Sequence, residues 1–406
     1  MQKMENAESS CSGAALLSCR RMRLSFLRCR LTFLVLLVVL PLGACAPLGG
    51  RTGGAASTAA GPGAEQTRTY VYVGTAAGEI AIFSLDQATG GLRKHASVAV
   101  GRAPTSLAVA RDGQVLVATN DAAASLVSFV VNPKTGALTA ASHASTGGAQ
   151  PGNAVADGSG KYVAVANQGS GSVAVLPVRP NGTLAEASLF DAGVGARSIA
   201  FHPSNEAAYV ANFRAETLSQ YSFNIGTGTL TPKPDRPVVL PKRSGPRSLV
   251  VHPNGRWLYV MNETANTVAV LAVEEHVRTL SLLALQVLST LPEGWRGRKS
   301  QVADARLGRG GNFLYAINRG HDSVVTFAVE RTTGDLTLVG HQPVQGQSPA
   351  ALAVDPSGAY LFVANQGSRT LATFRLDQVS GAPAPLGTVP LGAAPLSVQA
   401  VRPSAD

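Results

Sequence analysis

Six apolar, β-rich runs in this chain end on an asparagine, at Asn120, Asn167, Asn212, Asn262, Asn318 and Asn365, spaced 47, 45, 50, 56 and 47 residues apart. The residues around each asparagine follow one order. An apolar run such as "SLAVA" (106–110) leads to a turn such as "DPSG" (355–358), then to the Asn-terminated run, then to a run such as "SVAVL" (172–176), and last to a "TGxL" turn. Four short strands repeating with a period of this length are the signature of a β-propeller blade. The units begin at Gly101, Gly147, Gly193, Ser244, Lys299 and Gly346.

Two fragments complete a seventh unit. "YVYVGTAAGEIAIFSLDQATGGL", from Tyr70, lacks an opening strand, and "APLSVQAVRP", from Ala394, is an opening strand with nothing after it. Each alone would leave an unpaired sheet edge, whereas joined they close a ring. The expectation is an all-β, seven-bladed β-propeller over residues 68–406, with its first and last strands in one blade. Composition agrees: 43 Gly, 24 Pro and only 14% charged residues fit short strands and tight turns.

Residues 1–44 read as an over-called start followed by a signal peptide. From Met22 an Arg-rich segment precedes an apolar run, Leu31 to Leu42, too short to span a bilayer comfortably. The run ends in Leu42-Gly43-Ala44-Cys45, which resembles the bacterial lipobox, in which the cysteine becomes the lipidated first residue. Residues 45–67 then form a lipidated Cys45 with a flexible Gly/Ala/Thr-rich tether. All four cysteines (11, 19, 29 and 45) lie at or before that point. The mature chain therefore has no free pair for a disulfide, no thiol nucleophile and no Cys-ligated metal. Without residues 1–44 the charge falls from +10 to +6 (28 Lys/Arg against 22 Asp/Glu), a mild bias toward anionic ligands. No basic block with interleaved aromatics points to nucleic acid. The expected setting is extracytoplasmic, periplasm or cell envelope, on a membrane through the lipid alone, as a monomer.

The stretches "SGPRSLVVHPNGRWLYVMNET", "STLPEG", "FLYAINRGHDS" and "DPSGAYLFVANQGS" resemble the seven-bladed lactonase-like propellers, which include bacterial 6-phosphogluconolactonases and fungal carboxymuconate-lactonizing enzymes. The last stretch is general propeller grammar, while "STLPEG" and "NRGHDS" are specific. The resemblance covers about residues 70–403. It implies that the family's anion-binding and acid/base positions fall on Arg247, Glu263 and Arg319. It departs at two places: Ser248 stands where the family commonly has His after Gly-Pro-Arg, and Arg197 stands where the lactonizing enzymes have their catalytic His. A guanidinium does not shuttle protons near neutral pH.

The residues support the same set independently. Arg247 begins an inner-type strand, Glu263 follows the next strand of that blade, and Arg319 holds the equivalent place one blade later. Two guanidiniums about one carboxylate suit a phosphate or carboxylate ligand together with a base for water, and Arg197 adds a third cation. His321, in the atypical Arg319-Gly320-His321-Asp322 loop, is a candidate for substrate binding or for an inter-blade hydrogen bond, and Ser248 is a candidate beside Arg247. His202 and His252 precede Pro where the last blade has Asp355, which makes them turn residues. Trp295, Arg296, Arg298 and Lys299, in the segment that lengthens one spacing to 56, either flank the channel mouth or sit solvated on the rim.

No Gly-x-Ser-x-Gly occurs, and no His/Asp/Glu cluster has metal-ligand spacing. Gly-rich turns such as "TGGAQPG" have no helix after them to cradle phosphate. No cofactor is expected. Two functions stay open: hydrolysis of a sugar-acid or other small anionic lactone, or a non-catalytic, lipid-anchored propeller binding an organic anion.

Overall fold

A computed structural model of the chain describes residues 68–233, 237–276 and 279–404. Cys45, the signal pattern and the tether lie outside the described residues. Seven antiparallel sheets, each a blade, account for the rest. Blade 4 carries a short fifth strand, Val238–Val239. From the channel outward, blade 5 runs Pro246–Val251, Trp257–Asn262, Thr267–His276 and Thr279–Ser289. Blade 6 runs Gln301–Leu307, Phe313–Arg319, Ser323–Val329 and Leu336–Pro343.

Blade 1 is completed from the other end of the propeller. Strand Pro395–Val401 pairs with Tyr70–Thr75, in register from Tyr70 opposite Val401 to Gly74 opposite Ser397. The expected closure is therefore what forms.

The second strand is buried along its whole length in six blades, and in blade 6 everywhere but its two end residues, Phe313 and Arg319. A strand sends alternate side chains to opposite faces. Here both faces meet a neighbouring blade: in blade 4, Ala208 and Val210 pack toward blade 3, while Tyr209 and Ala211 pack toward blade 5. This is why these strands read as continuous apolar runs rather than as alternation. Seven apolar clusters result, one for each blade interface, including the one between blades 7 and 1.

The repeated motifs now have physical roles. The "TGxL" glycine sits under an aromatic ring of the preceding blade: a Cβ at Gly136 would overlap the Tyr70 ring, and one at Gly334 the Trp257 indole. Both glycines also have positive φ, 70° and 78°. The strand-ending asparagines are buried; Asn167, Asn212, Asn262, Asn318 and Asn365 donate from Nδ2 to the hydroxyl that opens the next strand, and Asn212, Asn318 and Asn365 also to the loop entering the blade. Asn318 reaches the Thr290 carbonyl at 2.6 Å and Ser323 Oγ at 3.4 Å, and Asn365 reaches the Val344 carbonyl at 2.9 Å.

Two expected outcomes follow. Truncation after Pro390 removes the strand that completes blade 1, so the thermal midpoint should drop sharply, whereas deletion of residues 46–66 should leave it unchanged; equal midpoints for the two would contradict ring closure. Asn318→Ala strands the buried Thr290 carbonyl with one donor fewer and should cost about 1–3 kcal/mol in denaturant unfolding, without selective loss of any ligand.

Candidate active site

In six blades the innermost strand carries a register shift near its start: Ala196/Ser198, Pro246/Ser248, Val302/Asp304 and Pro349/Ala351 in blades 4 to 7, with counterparts in blades 3 and 1. A bulge adds one residue and re-aims its side chain. The added residues in blades 4 and 5 are Arg197 and Arg247. Both they and the residues after them, Ser198 and Ser248, line the channel cavity, which a regular strand would not allow. The residue after the second strand's asparagine lines the same cavity in four blades, as Asp121 in blade 2, Gln168 in blade 3, Arg319 in blade 6 and Gln366 in blade 7; Glu263, at that position in blade 5, is bonded to the lining Arg247 but is not itself among the lining residues.

These two levels meet in one cluster at the mouth of a cavity of about 460 Å³. Glu263, its side chain only 10% exposed, accepts from Arg247 Nη1 at 2.7 Å on Oε2 and from Gln301 Nε2 at 2.9 Å on Oε1. Arg197 Nη2 stands 3.7 Å from Oε2, and Arg197 Nη1 donates to Gln168 Oε1 at 3.2 Å. The Arg197 guanidinium also lies over the Phe213 ring at 5.4 Å. Arg319 lines the same cavity but is turned to blade 7, donating from Nη2 to Gln366 Oε1 at 2.6 Å and from Nε to the Pro349 carbonyl at 3.4 Å. The carboxylate is thus flanked by Arg247 and Arg197, with Arg319 beside them.

Burial pushes the Arg197 pKa down to about 10; the nearby Arg247 and Arg319 push the same way and Glu263 opposes them. Arg319 is lowered for the same reasons, burial first and then Arg247. At about 10, Arg197 remains a cation at neutral pH. Asp121, exposed on blade 2, is a further acid lining this cavity.

Four of the expected site residues, Arg197, Arg247, Glu263 and Arg319, are therefore together. Ser248 lines the cavity, but its hydroxyl donates to Asp304 Oδ1 at 3.3 Å. His321 is not among the cavity-lining residues. Its Nδ1 is bonded to Ser323 Oγ at 2.6 Å, and its ring packs against Trp295 at 4.4 Å and His341 at 5.7 Å. Asp322 is also a clamp: it pairs with Arg298 at 3.1 Å and accepts the Ser348 amide at 2.9 Å. Of the Arg-Gly-His-Asp loop, only Arg319 reaches the cavity; His321 and Asp322 hold the 291–300 segment and blade 7 in place. His202 and His252 are turn residues; His202 Nε2 bonds the Gly255 carbonyl of blade 5 at 2.8 Å.

This architecture is that of known lactonases. The model of the seven-bladed β-propeller lactonases matches residues 70–400. The chain belongs to that family. It is 27% identical to the 6-phosphogluconolactonase of Bacillus subtilis over 72% of this chain and 86% of that protein, and 30% identical to the 6-phosphogluconolactonase of Formosa agariphila over 57% and 69%. The structure of the periplasmic gluconolactonase of Pseudomonas aeruginosa superposes with a TM-score of 0.75 at 28% identity, covering 82% of this chain and 99% of that one.

Several residues of the candidate site stand at repeated blade positions. Gln168 and Gln366 occupy the blade position of Glu263 and Arg319, and Asp304 that of Ser198 and Ser248. Gln301 carries no such signal, because its contact with Glu263 crosses from blade 6 to blade 5.

His321 supplies a pH test of the rim clamp. Burial and His341 lower its pKa below the ordinary 6.5, opposed by Asp322, so the fold favours the neutral ring. A depressed histidine contributes stability that is present above that ordinary value and is lost as pH falls through it toward the lowered one. The stability advantage of the wild type over His321→Asn should shrink between pH 7.5 and 5.5 in thermal melts; a constant gap would contradict the lowered pKa.

Proposed function

We propose that this propeller hydrolyses a small lactone of the sugar-acid type bearing an anionic group, and does so outside the cytoplasm. The observation carrying the proposal is a single, nearly buried carboxylate held by Arg247 and Gln301 with two further guanidiniums beside it. Family membership and relatives named as 6-phosphogluconolactonase and gluconolactonase support the same chemistry.

In this mechanism Glu263 removes a proton from water as the oxygen attacks the lactone carbonyl carbon. The developing oxyanion is met by Arg247 and Arg197, whose positive charge is fixed before the reaction begins. Collapse breaks the bond between the acyl carbon and the ring oxygen, and the proton held by Glu263 passes to that oxygen, leaving a hydroxy acid. Arg319, held by Gln366, binds the substrate's anionic group. The setting is supported by the Leu42-Gly43-Ala44-Cys45 pattern, through which Cys45 would carry a lipid anchor, and by the periplasmic relative.

A non-catalytic reading draws on Arg197 and Ser248 standing where the resemblance has histidines: the same cations would retain an organic anion without turning it over. One experiment separates the two. On the soluble domain from residue 67, a panel of lactones with and without a 6-phosphate should show turnover. Glu263→Gln should lower kcat/KM about 100-fold or more, the scale of a general base, while product binding persists. Absence of turnover across the panel, with anion binding intact, would favour the binding module.

Arg319→Lys keeps the charge but loses the planar fork. It should weaken the anionic substrate by about 1.5–3 kcal/mol, the scale of a hydrogen bond to a charged group, with little change in melting temperature. A melted protein with normal affinity would make Arg319 a structural clamp.

A further inference from the structure

Below the arginine level the cavity wall is uncharged in every blade except blade 6. The next inward residue is Ser106, Asn153, Ser198, Ser248 and Ser397 in blades 2, 3, 4, 5 and 1 and Ala351 in blade 7, but Asp304 in blade 6. Two residues further along the strand, Ala200, Val250 and Ala353 in blades 4, 5 and 7 and Gln399 in blade 1 are uncharged, and Arg306 is their counterpart in blade 6.

This level has a structural task, and neutral side chains perform it. Ser106 Oγ accepts the Ala154 amide of the next blade at 3.0 Å, and Asn153 Oδ1 accepts the Ile199 amide at 3.4 Å. Asp304 Oδ2 does the same for the Leu352 amide at 3.3 Å. Serine or asparagine suffices for that bond, so the charge on Asp304 and its Arg306 partner are surplus to it. Burying such a pair costs desolvation, which makes an ion pair at one blade of seven weak as a stability device.

The pair is also open to the cavity. Arg306 Nη1 donates to Asp304 Oδ1 at 2.6 Å and to the Ala305 carbonyl at 2.7 Å, and both side chains keep some exposure, 37% for Arg306 and 15% for Asp304. Nε and Nη2 of Arg306 make no hydrogen bond to protein among the described residues. A guanidinium fork beside a carboxylate presents donors and acceptors together with no net charge. That suits neighbouring hydroxyl groups rather than an anion, for which the cationic mouth is the better site.

We propose that Asp304 and Arg306 form a hydroxyl-reading subsite on the wall of the cavity, which selects polyhydroxylated lactones over lactones lacking hydroxyls. This rests on the lactone-hydrolase reading and adds to it the residues that recognise the polyol. The mouth handles the carbonyl and the anionic group, and the deeper pair reads the hydroxylated carbons.

The test compares D-glucono-δ-lactone with δ-valerolactone, which has no hydroxyls, in the wild type, Arg306→Met and Asp304→Asn. Asp304→Asn keeps an acceptor for the Leu352 amide, as Asn153 does for Ile199, so it should fold. Each variant should lower the ratio of kcat/KM for the two lactones at least tenfold, well within the range by which a site built for a hydroxyl rejects its absence. A purely structural pair would lower both substrates together and leave the ratio within about twofold, which overturns the proposal. D-gluconate affinity by calorimetry gives a readout that needs no turnover, with an expected loss of at least tenfold in either variant. If the wild type hydrolyses neither lactone nor the 6-phosphorylated gluconolactone yet binds gluconate through this pair, the subsite stands and the hydrolase reading falls. If gluconate affinity is indifferent to both substitutions, or the wild type does not bind it, the subsite falls.

Discussion

No blade of this propeller has a face of its own to bury. Each second strand is covered on both sides by neighbouring blades, so a blade at the end of an open row would expose half its apolar residues and a strand edge to water. Everything else depends on the ring closing, and closing rests on the ladder between Tyr70–Thr75 and Pro395–Val401. The aromatic residues that open second strands reinforce it by sitting on glycines of the next blade. Tyr360 does so across the last interface, against Gly90 of blade 1, and its hydroxyl donates to the Gln87 carbonyl at 3.0 Å.

Closure fixes seven inner strands around one channel, and the bulge near the start of those strands is what gives the channel a chemistry. It lets two consecutive residues face the channel, so that Arg197 and Arg247 reach the mouth while Ser198 and Ser248 face the level below. The scaffold repeats around the ring but the side chains do not. Blades 4, 5 and 6 supply three arginines and Glu263, and blades 3 and 7 supply the glutamines that orient two of the arginines. Functional groups are thus placed by a symmetric frame and distinguished only by substitution at equivalent positions.

The frame was legible in the sequence because its causes are local. Continuous apolar runs, glycines at positive φ and an asparagine at each strand end recur at a readable interval. The mouth cluster was legible in part: Arg247, Glu263 and Arg319 stand at repeated positions that resemble family sites, and Arg197 stands out as a cation where a histidine was expected. What stayed hidden depends on the bulge. Strict alternation would send Ala303 and Asp304 to opposite faces, and only the shift between Val302 and Asp304 brings both to the cavity. His321 shows the opposite difficulty. Its sequence neighbour Arg319 belongs to the site, yet two residues of turn, with Gly320 at a φ of 102° and Asp322 at 57°, carry the imidazole outward to Trp295.

The crowding of three guanidiniums limits the chemistry more than any single residue does. Arg197 is lowered to about 10, still well above neutrality, and burial and Arg247 lower Arg319 in the same direction. They supply fixed positive charge and hydrogen-bond donors but no proton transfer at working pH. On the proposed mechanism proton movement then falls to Glu263, which must both accept from water and return to the ring oxygen. Ester hydrolysis can run on one such group, because attack and collapse are sequential and occur at adjacent atoms. A lactonising cycloisomerisation instead moves a proton to or from carbon, a step for which the related enzymes place a histidine where this chain has Arg197. On the proposed mechanism, a guanidinium in that place adds to oxyanion stabilisation and leaves no second proton carrier, a combination that suits hydrolysis better than cyclisation.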